Sequence, residues 1–158
     1  FCSRVYCGDG NGPAAGVILV NGSVLGTASM GGGSGSYGVV FVLNPGKTGV
    51  PSYGFNTTDG ADPVAPVLAR GGKLFGVTAQ GGIQNNACGL YPSGNGVVFE
   101  LAPLNGKLTE TVLYSFTGGS DGCGPLGGLV ADAAGNLYGT TNQGGGSANG
   151  GTVFEVTP

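Results

Sequence analysis

Few side chains in this sequence are of a kind that does chemistry, and their spacing narrows the choice further. Glu100 and Glu155 stand at the same place in two copies of a Gly-x-Val-Phe-Glu segment. Paired carboxylates are what glycoside hydrolysis requires. The matching position of a further copy is Val42, and equivalent residues of successive repeats need not face each other. Both glutamates therefore read as solvated strand residues. The chain has no histidine and no Gly-x-Ser-x-Gly elbow, so a nucleophile would lack its usual activating base. No residue is assigned as catalytic, and an enzyme is not expected.

Asp9, Asp59 and Asp121, each followed by glycine, offer oxygen ligands of the kind calcium takes. Each loop supplies one carboxylate, or two where Asp62 joins Asp59. Accepting backbone N–H groups in a turn is the expected role. The cysteines Cys2, Cys7, Cys88 and Cys123 match neither paired zinc spacing nor haem attachment. No metal and no cofactor is assigned. Among the aromatics, Phe75, Tyr53, Tyr114 and Tyr138 fall on expected strands and read as core. Tyr37 and Tyr91 lie in or beside loops and are the candidates for stacking on sugars. Asn21 and Asn56 head Asn-x-Ser/Thr sequons. Asn21 falls in a tight turn, which makes Asn56, at a strand end, the favoured glycan site.

Composition sets the background for these residues. The chain has 158 residues, 37 of them glycine, and 13 charged side chains. Glycine has no period of three, so collagen is excluded, and the apolar residues cluster in short runs that glycine separates. Net charge is −3 and the five basic residues are scattered singly, so nothing marks a nucleic-acid or anionic-membrane surface. No apolar run approaches the length of a membrane-spanning helix. An even cysteine count, few charges and the sequons point to an oxidising, extracellular setting. Phe1 in place of an initiator methionine reads as a processed or trimmed product.

The elements that must position these residues come from a repeat. Gly22-Ser-Val-Leu-Gly-Thr-Ala28, Gly72-Lys-Leu-Phe-Gly-Val-Thr78 and Gly135-Asn-Leu-Tyr-Gly-Thr-Thr141 align. Each is followed by a glycine-rich stretch and then by Gly38 to Pro45, Gly96 to Pro103 or Gly151 to Pro158. Asp-Gly-x-x-Pro recurs at Asp9, Asp59 and Asp121, so the period is roughly 50 to 63 residues. In the middle copy, strands are expected at 66–70, 73–79, 96–102 and 111–116, with hairpin turns at Gly71-Gly72 and Asn105-Gly106. Asn21-Gly22 and Gly135-Asn136 take the first turn in the other copies, and all five Asn-Gly pairs read as turns. Val39/Phe41/Leu43 and Val97/Phe99/Leu101 form an apolar face, and the alternate face is mixed, which predicts one face in the core and one partly wet.

The fold class is therefore all-β: three tandem four-stranded antiparallel meanders, each the size of a propeller blade, with incomplete terminal repeats. The chain reads as a single repeat domain over 1–158. Residues 1–12 end a preceding repeat, 13–62 form the first, 63–124 the second and 125–158 the third, which lacks its fourth strand.

The order Leu137-Tyr-Gly-Thr-Thr141, Gly-Gly loop, Gly151-Thr-Val-Phe-Glu-Val-Thr-Pro158, with Val112-Leu-Tyr-Ser-Phe116 and Gly118-Gly-Ser-Asp-Gly122, resembles the GloVer tandem repeat of secreted and surface-anchored bacterial proteins. The resemblance spans essentially the whole chain. It is strongest in the third copy and weakest in the first, where Val24-Leu-Gly-Thr27 lacks the aromatic. It implies a secreted, propeller-like, non-catalytic role and transfers no active-site residues.

Three expectations follow. In a meander, the loops after the second and fourth strands emerge at one end, which predicts disulfides Cys88–Cys123 and Cys2–Cys7. Phe41, Phe99 and Phe154 are expected buried at equivalent places, as are Leu25, Leu74 and Leu137. A third copy without a fourth strand leaves an open edge at Val153, Phe154 and Val156, which Phe1, Val5 and Tyr6 of another copy would complete head-to-tail. The competing expectation is a longer covalent array from which the chain was cut. The functional reading is a self-assembling structural protein of the cell exterior, a filament or surface-layer subunit whose partners are its own copies. A carbohydrate-binding surface module, with glycans as partners, is the alternative.

Overall fold

Short glycine-punctuated runs of apolar-alternating residues satisfy their backbone by pairing with each other. They do so as three antiparallel sheets of four strands each. The structure is a computed structural model and describes residues 7–44, 46, 52–85, 87–89 and 93–158. The first sheet is β1 (Ile18–Val20), β2 (Ser23–Ala28), β3 (Val39–Leu43) and β4 (Ser52–Gly54), paired in that order. The second is β5 (Leu68–Arg70), β6 (Lys73–Thr78), β7 (Val97–Leu104) and β8 (Lys107–Ser115). In the third, β10 (Val130–Ala131), β11 (Leu137–Gln143) and β12 (Val153–Val156) pair in order, and β9 (Cys123–Pro125) joins the far end of β11.

Tight turns close the hairpins where φ is positive at both central residues: Asn21-Gly22 (50° and 77°), Gly71-Gly72 (58° and 77°) and Asn105-Gly106 (51° and 77°). Because Asn105-Gly106 joins Leu104 directly to Lys107, β8 begins four residues earlier than the expected strand at 111. The third copy departs from the two-residue pattern. Its first loop spans 132–136, and the Asp132 carboxylate accepts the N–H groups of Gly135 (2.7 Å) and Asn136 (2.9 Å). The side chain thus replaces the missing turn geometry. Three Asn-Gly pairs are not hairpin turns, Asn149-Gly150 because it lies within the long loop between β11 and β12. Asn11 bridges Met30, and Asn95 is fully buried.

The sheets stack face to face. Leu25 and Val40 of the first sheet pack with Leu74, Val97, Phe99 and Leu101 of the second in one core cluster. Phe75, Val77 and Val98, on the opposite face of the second sheet, pack with Leu129 and Leu137 in another. The middle sheet is therefore buried on both faces: Val97, Val98 and Phe99 are all 0% exposed. This corrects the one-face-wet expectation, since alternation distinguishes two faces but does not reveal that a neighbouring repeat covers each.

Edge-to-face aromatic contacts run between repeats. Phe55 meets Phe99 and Phe116 meets Phe154, each with centroids 5.0 Å apart. Leu74, Leu137, Phe41 and Phe99 are buried as expected. Leu25 is buried too, but it pairs Val42 as Phe75 pairs Glu100, so Val24 rather than Leu25 holds the place of Leu74. Phe154 is only partly buried, because among the described residues no strand lies beside β12 to do what β8 does beside Phe99. Gly26, Gly76 and Gly139 sit directly under these rings. A Cβ there would lie 2.6, 2.5 and 2.5 Å from the ring carbon of Phe41, Phe99 and Phe154, so this second-strand glycine is the floor on which each Phe rests.

Candidate functional site

Three features beyond the core recur or stand open. The first is the edge of β12. The Thr152 carbonyl accepts the N–H of Thr141 at 2.9 Å, so alternation along β12 turns the main-chain groups of Val153 and Glu155 to the other edge. Among the described residues no strand pairs there. In the first two sheets the same edge carries β4 and β8, with Val40 opposite Tyr53 and Val98 opposite Tyr114. There Phe55 N–H donates to Gly38 O (2.9 Å) and Phe116 N–H to Gly96 O (3.1 Å). Beside β12, Val153 is 80% exposed. A groove of about 240 Å³ runs along it, floored by Tyr114, Phe116, Phe154 and Val156. Phe1, Val5 and Tyr6 lie outside the described residues.

The second feature is an aspartate brace. Asp59 accepts the Tyr53 hydroxyl (2.7 Å) and the Asn56 N–H (2.8 Å). Asp121 accepts the Tyr114 hydroxyl (2.9 Å), the Thr117 N–H (2.8 Å) and the Thr117 hydroxyl (2.5 Å). Each Asp-Gly turn thus folds back on the Tyr of the fourth strand, as the turn reading of these aspartates requires. Burial pulls the Asp121 carboxyl upward, but the Thr117 and Tyr114 donors outweigh it and hold it below the usual range. Among the described residues no group of three or more His, Cys, Asp or Glu is placed to hold a metal. Beyond each Asp-Gly, the chain hooks onto the end of the next second strand, through Asn11–Met30, Ala61–Gln80 and Cys123–Gln143.

Glu110, on β8, belongs to the first of these braces. Burial and the nearby Asp59 charge push its carboxyl up to about 7, and its Oε1 is buried with no hydrogen-bond partner. Burial, the Asp59 hydrogen bond and the Asp59 and Glu110 charges raise the Tyr53 hydroxyl as well. Nothing in the sequence singles out Glu110, since only the stacking of β4 on β8 brings it to Asp59.

The third feature is covalent. Cys88 and Cys123 form a disulfide, with Cα atoms 6.5 Å apart, which ties the long loop of the second copy to the turn before the third. Cys7 is also disulfide-bonded; Cys2, its expected partner, lies outside the described residues. Asn95, read as a turn residue, instead holds this junction together. Its Nδ2 donates to Asn85 Oδ1 (2.9 Å) and to Phe116 O (3.2 Å).

The remaining candidates are dispersed. Glu100 pairs with Lys73 at 2.7 Å, and Glu155 lies on the third sheet opposite Tyr138. Asn56 is exposed, and its Oδ1 accepts the Thr58 N–H (2.9 Å) and hydroxyl (2.5 Å) while its Nδ2 donates to Asp59. Asn21 is exposed in its turn. Tyr37 is half-buried and lines a loop-end cleft between the first two repeats. Tyr91 lies outside the described residues. No helix among the described residues is long and apolar enough to cross a membrane.

No curated protein and no solved structure matches the chain. The model of the Gloeobacter/Verrucomicrobia repeat matches residues 2–158, in agreement with three sheets that share one ring-on-glycine floor and one hook after Asp-Gly. The chain belongs to the Gloeobacter/Verrucomicrobia repeat family.

Proposed function

We propose that this is a structural protein of the cell exterior that assembles head-to-tail with copies of itself. The observation that carries the reading is the β12 edge. It has the geometry that receives a fourth strand in the two preceding sheets, and an aromatic-floored groove of about 240 Å³ runs beside it. An unpaired edge presents main-chain donors and acceptors to another chain, and a strand added there would continue the stack of sheets. A donor strand other than β12 itself makes the contact heterologous, and such contacts yield rings or open filaments. The Cys88–Cys123 disulfide and the low charge suit a durable extracellular polymer.

Sedimentation velocity over a concentration series tests this with Val153→Pro. The substitution removes an N–H aimed at the open edge, and its ring is of a kind tolerated on an edge strand. Growth of large species by the wild type and a monomer for the variant is the expected pair. Identical behaviour of the two would remove the β12 edge from the assembly.

A further inference from the structure

The cleft beside Tyr37 departs from the repeat, and that departure carries an inference independent of assembly. At each junction the residue before the third-strand glycine offers its carbonyl to the segment after Asp-Gly. Asp62 N–H donates to Tyr37 O (2.9 Å), and Gly124 N–H donates to Asn95 O (2.8 Å). The two junctions thus share this main-chain hydrogen bond, yet their side chains are unlike. At the second, Asn95 is 0% exposed and turned inward, the facing residue is glycine, and the Cys88–Cys123 bond lies alongside. At the first, a cleft of about 320 Å³ opens between Tyr37, Asp62, Gln80, Ser36, Ser93 and Met30.

Asp62 is the telling residue. Its φ is 58°, in the left-handed region, whereas the equivalents Gly12 (70°) and Gly124 (59°) are glycines. A side chain placed where its repeat partners use glycine is a local cost that architecture does not require. Its carboxylate makes one long contact, from Gln80 Nε2 at 3.4 Å, which leaves acceptor capacity facing the cleft. Ser36 Oγ accepts the Gly31 N–H at 3.0 Å, so its own hydrogen is available to donate. The Tyr37 ring lies over Gly35, where a Cβ would come within 2.2 Å of it, so the ring is held in place before any ligand arrives. No Lys or Arg lines the cleft.

We propose that this cleft binds an uncharged oligosaccharide. A fixed aromatic offers an apolar face to the C–H face of a pyranose, and a carboxylate, a carboxamide and hydroxyls around it match a ring of sugar hydroxyls. The absence of a cation in the lining, with a carboxylate present, selects against uronic and sulfated sugars.

The test is an amide NMR titration of the whole chain with maltotetraose, cellotetraose, xylotetraose and chitotetraose, with a heparin tetrasaccharide as the charged control. At least one neutral sugar is expected to give saturable shifts centred on Tyr37, Asp62 and Gln80, and the heparin fragment none. Asp62→Gly restores the residue of the sister repeats, so the fold should hold. The loss expected is about tenfold or more in affinity, with Tyr37→Leu giving a similar loss. No saturable shift at these residues with any of the neutral sugars, or full affinity in Asp62→Gly, would overturn the proposal. Neither result bears on the β12 edge, which lies on a different sheet.

Discussion

Phe99 and Phe154 occupy equivalent places and rest on equivalent glycines, yet only Phe99 is sealed. Truncation to alanine at Phe99 is expected to cost about 3–5 kcal/mol in urea unfolding, and the same change at Phe154 clearly less. Equal losses would mean that β12 is covered in solution. The Phe of each Val-Phe pair and the glycine beneath it were legible in the sequence because each copy repeats them. Asn95 was not, since Asn-Gly is the strongest hairpin signal and only burial reveals its other use. Glu110 gives a second residue-scale prediction. Its carboxyl rises from the ordinary 4.5 to about 7 on folding, so the folded state binds the proton more tightly than the unfolded one. The stability this provides is complete below pH about 4.5 and is lost as pH rises through about 7. Glu110→Gln should flatten the melting temperature between pH 5 and pH 8, relative to the wild type. A wild-type curve that already rises over that range would contradict the placement of Glu110 against Asp59.

Strands and hairpins were legible wherever glycine or Asn-Gly brackets an alternating run. They failed where a side chain substitutes for turn geometry, as Asp132 does in the third copy. The Asp-Gly hook was visible as a motif, but its bridge to the end of the next second strand depends on long-range pairing that no local signal encodes. The disulfide was reachable from topology alone, because meander loops share an end. Cys88–Cys123 closes a separation of 35 residues, for which loop-entropy loss corresponds to about 4 kcal/mol. The double substitution Cys88→Ser and Cys123→Ser should lower the urea unfolding free energy by that order. No change would mean that the Asn95 contacts alone hold the junction.

Across the whole molecule, repetition gave three like sheets but not their stacking, which buries both faces of the middle one. In the last sheet no strand among the described residues pairs with the outer edge of β12, which is the socket of the proposed assembly. The most direct measurement of that socket is residue-resolved amide hydrogen exchange of Val153 and Glu155 across a concentration series. Both N–H groups face the open edge, so they should exchange freely in dilute solution and become protected as copies add their strands. Exchange that stays fast at every concentration, alongside protected β7 amides, would contradict assembly through β12.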